Sequence, residues 1–247
     1  MQKNERNSVN VLGVNVDRLS MPEALETLES FIRQKSPRII ATANAEMIMM
    51  AQNDTELLGV LNAASLVLPD GAGVVWAAGK LGFPVPERVA GFDLTQRMLQ
   101  RSAQCGYRIY WLGASPGVAE AANARASSEF PGLVTVGIRD GYFLPEDSSV
   151  IDSIREAKPD ILLCALGVPK QEKWLFRNLE KLNVAVTIGV GGTFDVMAGK
   201  VTRAPVWMQQ AGLEWLYRLL CQPTRFVRML ALPRFVLRVL AVAWTTR

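Results

Sequence analysis

Histidine is absent from all 247 residues. Without an imidazole, Ser-His-Asp and Cys-His catalysis are excluded. A general base must then be a carboxylate, with Lys, Tyr and Cys less suited to the task. Cysteine is scarce: Cys105, Cys164 and Cys221 are odd in number and widely separated. They offer no zinc spacing and read as buried free thiols in a reducing cytoplasm. There is no Asp-x-Asp pair of the kind that holds a metal against a diphosphate. No stretch supplies the roughly 18 uninterrupted apolar residues of a membrane span. Residues 1–10 are mostly polar and hold no hydrophobic region, which argues against a signal peptide. Acid is sparse in one region only: beyond Lys200, seven arginines face the single acid Glu214.

The chain has 49% apolar and 20% charged residues, enough apolar surface for a sizeable core, and a net charge of +4. Short β-branched runs alternate with amphipathic segments from about residue 9 to 195, which predicts an α/β fold with parallel sheets. Residues 9–16 read as one strand bent at Gly13. Ser20, Pro22 and Glu23 read as the start of a helix running to Gln34. A change of pattern near Gln104 divides the chain into two Rossmann-like lobes, residues 1–104 and 105–200. Residues 201–247 follow as a C-terminal helical appendage.

Candidate site residues fall where apolar runs end, the edge at which parallel sheets bind ligands. Thr42 and Asn44 follow the strand at 38–41, and Asp70 follows the run at 65–68. Asn44 also suits a helix cap, and Asp70-Gly71 a plain turn. Arg88 lies in a Pro-rich loop that can carry contacts to a neighbouring site. Gly113 opens a tight turn between a strand and an Ala-rich helix. Such a turn presents amides to a phosphate or is an ordinary connection. Lys170 and Gln171 follow the strand at 160–165, placed for a phosphate or a sugar hydroxyl. Asp195 lies just past the apolar run at 184–190.

The appendage interleaves arginine with Trp, Phe and Leu, and Pro223 and Pro233 are expected to divide it into short helices. Arg218, Arg225 and Arg228 cluster on one side at helical spacing. The pattern suits an anionic membrane surface; packing with solvated charge is the alternative. The tail is too apolar for a nucleic-acid surface. It also suits packing against a second copy in a homo-oligomer.

Taken together, several motifs resemble the bacterial WecG/TagA/CpsF glycosyltransferases, family 26, from about residue 11 to 230. They are Thr42-Ala43-Asn44, Pro69-Asp70-Gly71, Gly113-Ala114, Gly141-Tyr142-Phe143, Gly167-Val168-Pro169-Lys170-Gln171-Glu172, residues 189–195 and Arg203-Ala204-Pro205. The resemblance implies an inverting transfer of a sugar from a UDP-sugar with no metal cofactor. It implies a polyprenyl-diphosphate-linked sugar as acceptor, at the cytoplasmic face of the inner membrane. It makes Asp70 the catalytic base and Thr42 a residue near the sugar, with Asn44 beside it. Tyr142 and Asp195 match positions at the uracil end, and Gln171 lines the pocket. Arg218, Arg225 and Arg228 match basic residues of an appendage that closes over the diphosphate.

The donor sugar stays open among N-acetylmannosamine, its uronic acid and glucose. Two other classes remain: a non-catalytic UDP-sugar-binding module recruited to membranes, and a soluble nucleotide-sugar hydrolase or epimerase.

Overall fold

The computed structural model describes residues 7–144, 146–223 and 226–245, with Val227 as backbone only. The first structure is a hairpin, β1 (Ser8–Val11) and β2 (Val14–Asp17), paired antiparallel. One bent strand was expected here. Leu12 and Gly13 both take positive φ (48° and 87°), and the Asn10 side chain accepts the Gly13 N–H, so the chain reverses instead. Alternation buries Val9, Val11, Val14 and Val16 on one face. Helix α1 (Met21–Gln34) starts as expected, the Ser20 N–H donating to Glu23 Oε2 at 2.7 Å.

Next come β3 (Arg38–Ala43), α2 (Ala45–Ala51), α3 (Thr55–Ala63), β4 (Leu66–Pro69), α4 (Ala72–Lys80) and α5 (Gly91–Cys105). They are followed by β5 (Arg108–Gly113), α6 (Val118–Glu129), β6 (Val134–Arg139), α7 (Ser148–Ala157), β7 (Ile161–Ala165), α8 (Lys170–Leu182), β8 (Val186–Gly189) and α9 (Thr193–Met197). Six of these strands form one parallel sheet in the order β4-β3-β8-β7-β5-β6. The expected parallel α/β architecture is therefore present. The two segments expected to carry separate sheets share a single one, because β8 pairs with β3, Ile188 opposite Ile40.

Every residue of β7 and β8 is buried, as befits strands covered on both faces. One face carries α2, α3, α4, α7 and α8 with the hairpin, joined through Ile48, Leu57, Val74, Ile154 and Trp174. The other carries α1, α5, α6 and α9, joined through Leu28, Leu94, Ala122 and Phe194, whose ring lies 5.1 Å from that of Trp111. Cys164 is buried in β7 as expected. Cys105 and Cys221 are exposed, each at the last turn of its helix, where the side chain points away from the core.

The appendage comprises α10 (Val206–Gln210), α11 (Glu214–Cys221), α12 (Phe226–Met229) and α13 (Ala231–Thr245). Pro223 follows α11 as anticipated. Pro233 does not divide the chain: it lies in the first turn of α13, where the missing N–H costs nothing. Helix α13 folds back onto α2 and α4 and buries Phe235 and Val239 in the core. No described helix is long and apolar enough to cross a membrane.

Candidate active site

The carboxyl ends of β4, β3, β8 and β7 open on a cavity of about 180 Å³. Its wall holds Thr42, Asn44, Glu46, Asp70, Phe92, Gln171, residues 189–193, Arg203, Arg218 and Arg228. Helices α2, α4, α5, α8 and α9 all begin along this edge, so their N-terminal N–H dipoles bias it toward anions. A second, less polar cavity of about 130 Å³ adjoins it, lined by Gly71, Arg88, Glu214, Trp215, Met229 and Leu232. Asn44, Glu46, Asp70, Arg218 and Arg228 belong to both walls.

Asp70 is the first residue past β4, its N–H bonded to Ala43 O at 2.8 Å. Gly71 follows with φ 95°, a turn that L side chains rarely adopt, and starts α4. The carboxyl group is pushed up to about 6, first by burial. Among its neighbours Arg218 and Arg88 pull it down, Glu214 pushes it up, and the Gly91 N–H pulls it down by hydrogen bonding. Among the described residues Asp70 makes no ion pair.

Thr42 is buried at the end of β3, close to the start of α5. A Cβ on Gly91 would lie 3.0 Å from Thr42 Oγ1, so glycine keeps that approach open. Asn44 caps α2, its Oδ1 accepting the Met47 N–H at 2.9 Å, and it lines both cavities. Gln171 is buried, with Oε1 accepting the N–H groups of Gly167 and Gly191, each at 3.1 Å. Its Nε2 donates to Glu172 Oε1 at 2.8 Å. It thereby ties the loops after β7 and β8 together as the floor of the cavity. Burial pushes the Glu172 carboxyl up to about 7.

Arg218 and Arg228 line both cavities, and Arg88, from the Pro-rich loop, lines the second with them. Arg88 Nη1 pairs with Glu214 Oε2 at 3.2 Å, Arg218 Nη2 with Glu214 Oε1 at 3.0 Å, and Arg228 Nε lies 3.7 Å from Glu46 Oε1. Arg225 lies outside the described residues.

Other candidates stand apart from the cavity wall. Gly113 packs so closely on β7 that a Cβ would lie 2.5 Å from the Ala165 carbonyl, and its φ is 117°. Lys170 sits with Nζ 5.8 Å from the centroid of the Phe143 ring. Tyr142 is exposed beyond β6, five strand places from β4, roughly 24 Å at sheet spacing. Asp195 lines a small recess with Arg203, Arg218 and Gln222.

Three residues in the site were given no role by sequence reasoning. Glu46 lines both cavities; Arg203 joins the larger wall and grips Asp93 through two hydrogen bonds of 2.5 and 2.9 Å. Glu214 gathers three arginines, and its isolation as the one acid of the tail was the available signal.

The family model of the glycosyl transferase WecG/TagA/CpsF family matches residues 9–247. The N-acetylglucosaminyldiphosphoundecaprenol N-acetyl-beta-D-mannosaminyltransferase of Bacillus subtilis is 37% identical over 231 residues, 94% of this chain and 89% of its own. Its namesake in Bacillus spizizenii is 37% identical, covering 92% and 87%. That of Staphylococcus aureus is 32% identical, covering 94% and 91%. The chain belongs to the WecG/TagA/CpsF family and is a glycosyltransferase.

Proposed function

We propose that this enzyme moves N-acetylmannosamine from a UDP-sugar to a polyprenyl-diphosphate-linked N-acetylglucosamine, with inversion and without a metal. The observation that carries the reading is Asp70 standing in the wall shared by two cavities, beside Arg218 and Arg228. The larger, more polar cavity suits the donor. The smaller one, with Trp215, Met229 and Leu232, suits an acceptor that continues into lipid. The names of the relatives support this acceptor and sugar.

In the proposed step, the ionised Asp70 takes the proton of the acceptor hydroxyl. That oxygen attacks the anomeric carbon from the face opposite the nucleotide, and the bond from that carbon to the UDP oxygen breaks. The new glycosidic bond therefore has inverted configuration. Charge growing on the departing diphosphate is met by Arg218, Arg228 and the helix N-termini rather than by a cation. Thr42 lies beside the sugar, and Asn44 and Gln171 border it. The nucleotide extends along the sheet edge past Gly167 toward Lys170 and the exposed Tyr142 ring, while Asp195 lies beside Arg218.

The exposed Trp207, Trp215, Leu220, Phe226, Leu237 and Trp244, set among arginines, form the surface proposed to rest on the cytoplasmic face of an anionic inner membrane. The same surface serves equally for pairing with a second copy.

The test is UDP release and lipid-linked disaccharide formation from UDP-N-acetylmannosamine and a short-chain polyprenyl-diphosphate N-acetylglucosamine. Turnover in excess chelator and a β-linked product by NMR are expected. UDP release independent of the acceptor would mark a hydrolase, and binding without turnover a recruitment module. Sedimentation with anionic vesicles, lost on removal of residues 201–247, tests the membrane surface.

A further inference from the structure

Glu214 opens α11 and is almost enclosed, its side chain 13% exposed. Three guanidinium groups from separate places meet it. Arg88 comes from the loop before α5, Arg218 from the next turn of α11, and Arg203, with Nε at 3.6 Å, from the loop before α10. Asp93 takes the far side of Arg203. Three positive charges thus face two carboxylates, and the ionised Asp70 is the third negative charge at this place. Asp70 lies within reach of Arg88 and Arg218 and is paired with neither.

A base held in an ion pair with arginine is a poor base, because the pair favours its ionised form and resists protonation. We infer that Glu214 is a positioning residue of the transfer reaction: it holds Arg88 and Arg218 off Asp70, keeping that carboxylate free to take a proton. The inference rests on the reading of Asp70 as base. Among the described residues, the other charged groups at this place are Arg228 of α12 and Glu46 of α2, which face each other across the same walls. They offset one another, so the balance at Asp70 is set by Glu214, Arg88 and Arg218.

Removing the Glu214 charge takes away a group that raises Asp70 and releases two that lower it. Both effects have the same sign. In Glu214→Gln the acid limb of the kcat/KM profile is expected to move down by about one pH unit, with kcat falling on the plateau. The double variant Glu214→Gln/Arg88→Gln restores the charge count and is expected to bring the limb back toward its original position. Glu214→Asp, which keeps the charge, is expected to lie between.

A profile lowered equally at all pH values, with the limb unmoved, would make Glu214 a purely structural contact and overturn the inference; so would a double variant as displaced as the single one. Should Glu214→Gln not fold, the double variant and Glu214→Asp carry the comparison. Carbon NMR titration of the Asp70 carboxyl, assigned with Asp70→Asn in the full chain, reads the same shift without turnover. A shift there, together with an active Asp70→Asn enzyme, would retain the contact and discard the base. No shift, with an inactive Asp70→Asn enzyme, would do the reverse.

Discussion

Arg88 and Glu214 meet at 3.2 Å although 126 residues separate them in the chain. The pair fastens the appendage to the core at the rim of the second cavity, with both side chains mostly buried. Arg88→Ala leaves part of the Glu214 charge unmatched and should loosen α11 by about 1–3 kcal/mol. Cleavage of residues 201–223 by a trace protease should accelerate by about tenfold or more, and the acceptor KM should rise. The acid limb should move up, opposite to the shift expected for Glu214→Gln, because Arg88 lowers Asp70. Breaking the exposed Arg155–Asp152 pair should change none of these.

Asp70→Asn is expected to cut transfer by about 10²–10⁴-fold, the usual weight of a general base. UDP affinity measured by calorimetry should stay near that of the parent. In the parent, kcat/KM should rise as pH passes through about 6, where the carboxyl becomes ionised.

The same substitution should stabilise the protein, but only above that pH. Folding raises the Asp70 carboxyl from 3.8 to about 6, so the native state binds the proton more tightly than the unfolded chain. Stability from this group is fully present below about pH 4 and is lost as pH rises through 6. The deficit above that is on the order of 1–3 kcal/mol. Thermal melts should place Asp70→Asn above the parent at pH 8, with the gain gone at pH 4.

Gly189→Ala should damage the cavity floor. The added methyl would lie 2.5 Å from Gln171 Nε2 and 2.9 Å from Glu172 Oε1, between groups with little room to move. A loss of about 1–3 kcal/mol in stability is expected, with a rise in donor KM as Gln171 leaves the Gly167 and Gly191 amides. Gly79→Ala, on the exposed side of α4 with nothing within 4 Å of the new methyl, should be neutral or stabilising.

Phe235→Ala should release α13. The ring is 1% exposed and lies against Gly73 in α4, beside the Asp70 turn. A loss of about 3 kcal/mol is expected. Hydrogen exchange should accelerate through α13 first and then at the exposed ends of α2 and α4.

The parallel α/β character was legible because apolar runs of strand length alternate with helical periodicity, and that pattern depends on neighbours in the chain. The hairpin at Leu12–Gly13 was not, because nothing in that segment forbids a continuous strand; only the two positive φ values reverse it. Asn44 was read as cap or as site; it caps α2 and also lines the cavity, because the end of β3 at which a helix starts is the same edge on which the cavity opens. Glu214 was visible as an isolated acid, yet its partners Arg88 and Arg203 lie 126 and 11 positions away, and no spacing rule links them.

Sequence alone thus determined the chemistry on offer: no imidazole, carboxylates at strand ends, and a tail rich in guanidinium and aromatic groups. These are properties of residue type and local order. Tertiary structure decided which groups meet. The pairing of β8 with β3 merged two stretches into one sheet and brought the loops after β3, β4, β7 and β8 to a common edge. Folding of the appendage against that edge then set arginine beside Asp70, and burial there raised the carboxyl into the range of a working base. Charge and solvation depend on distances through space, and distance along the chain does not encode them.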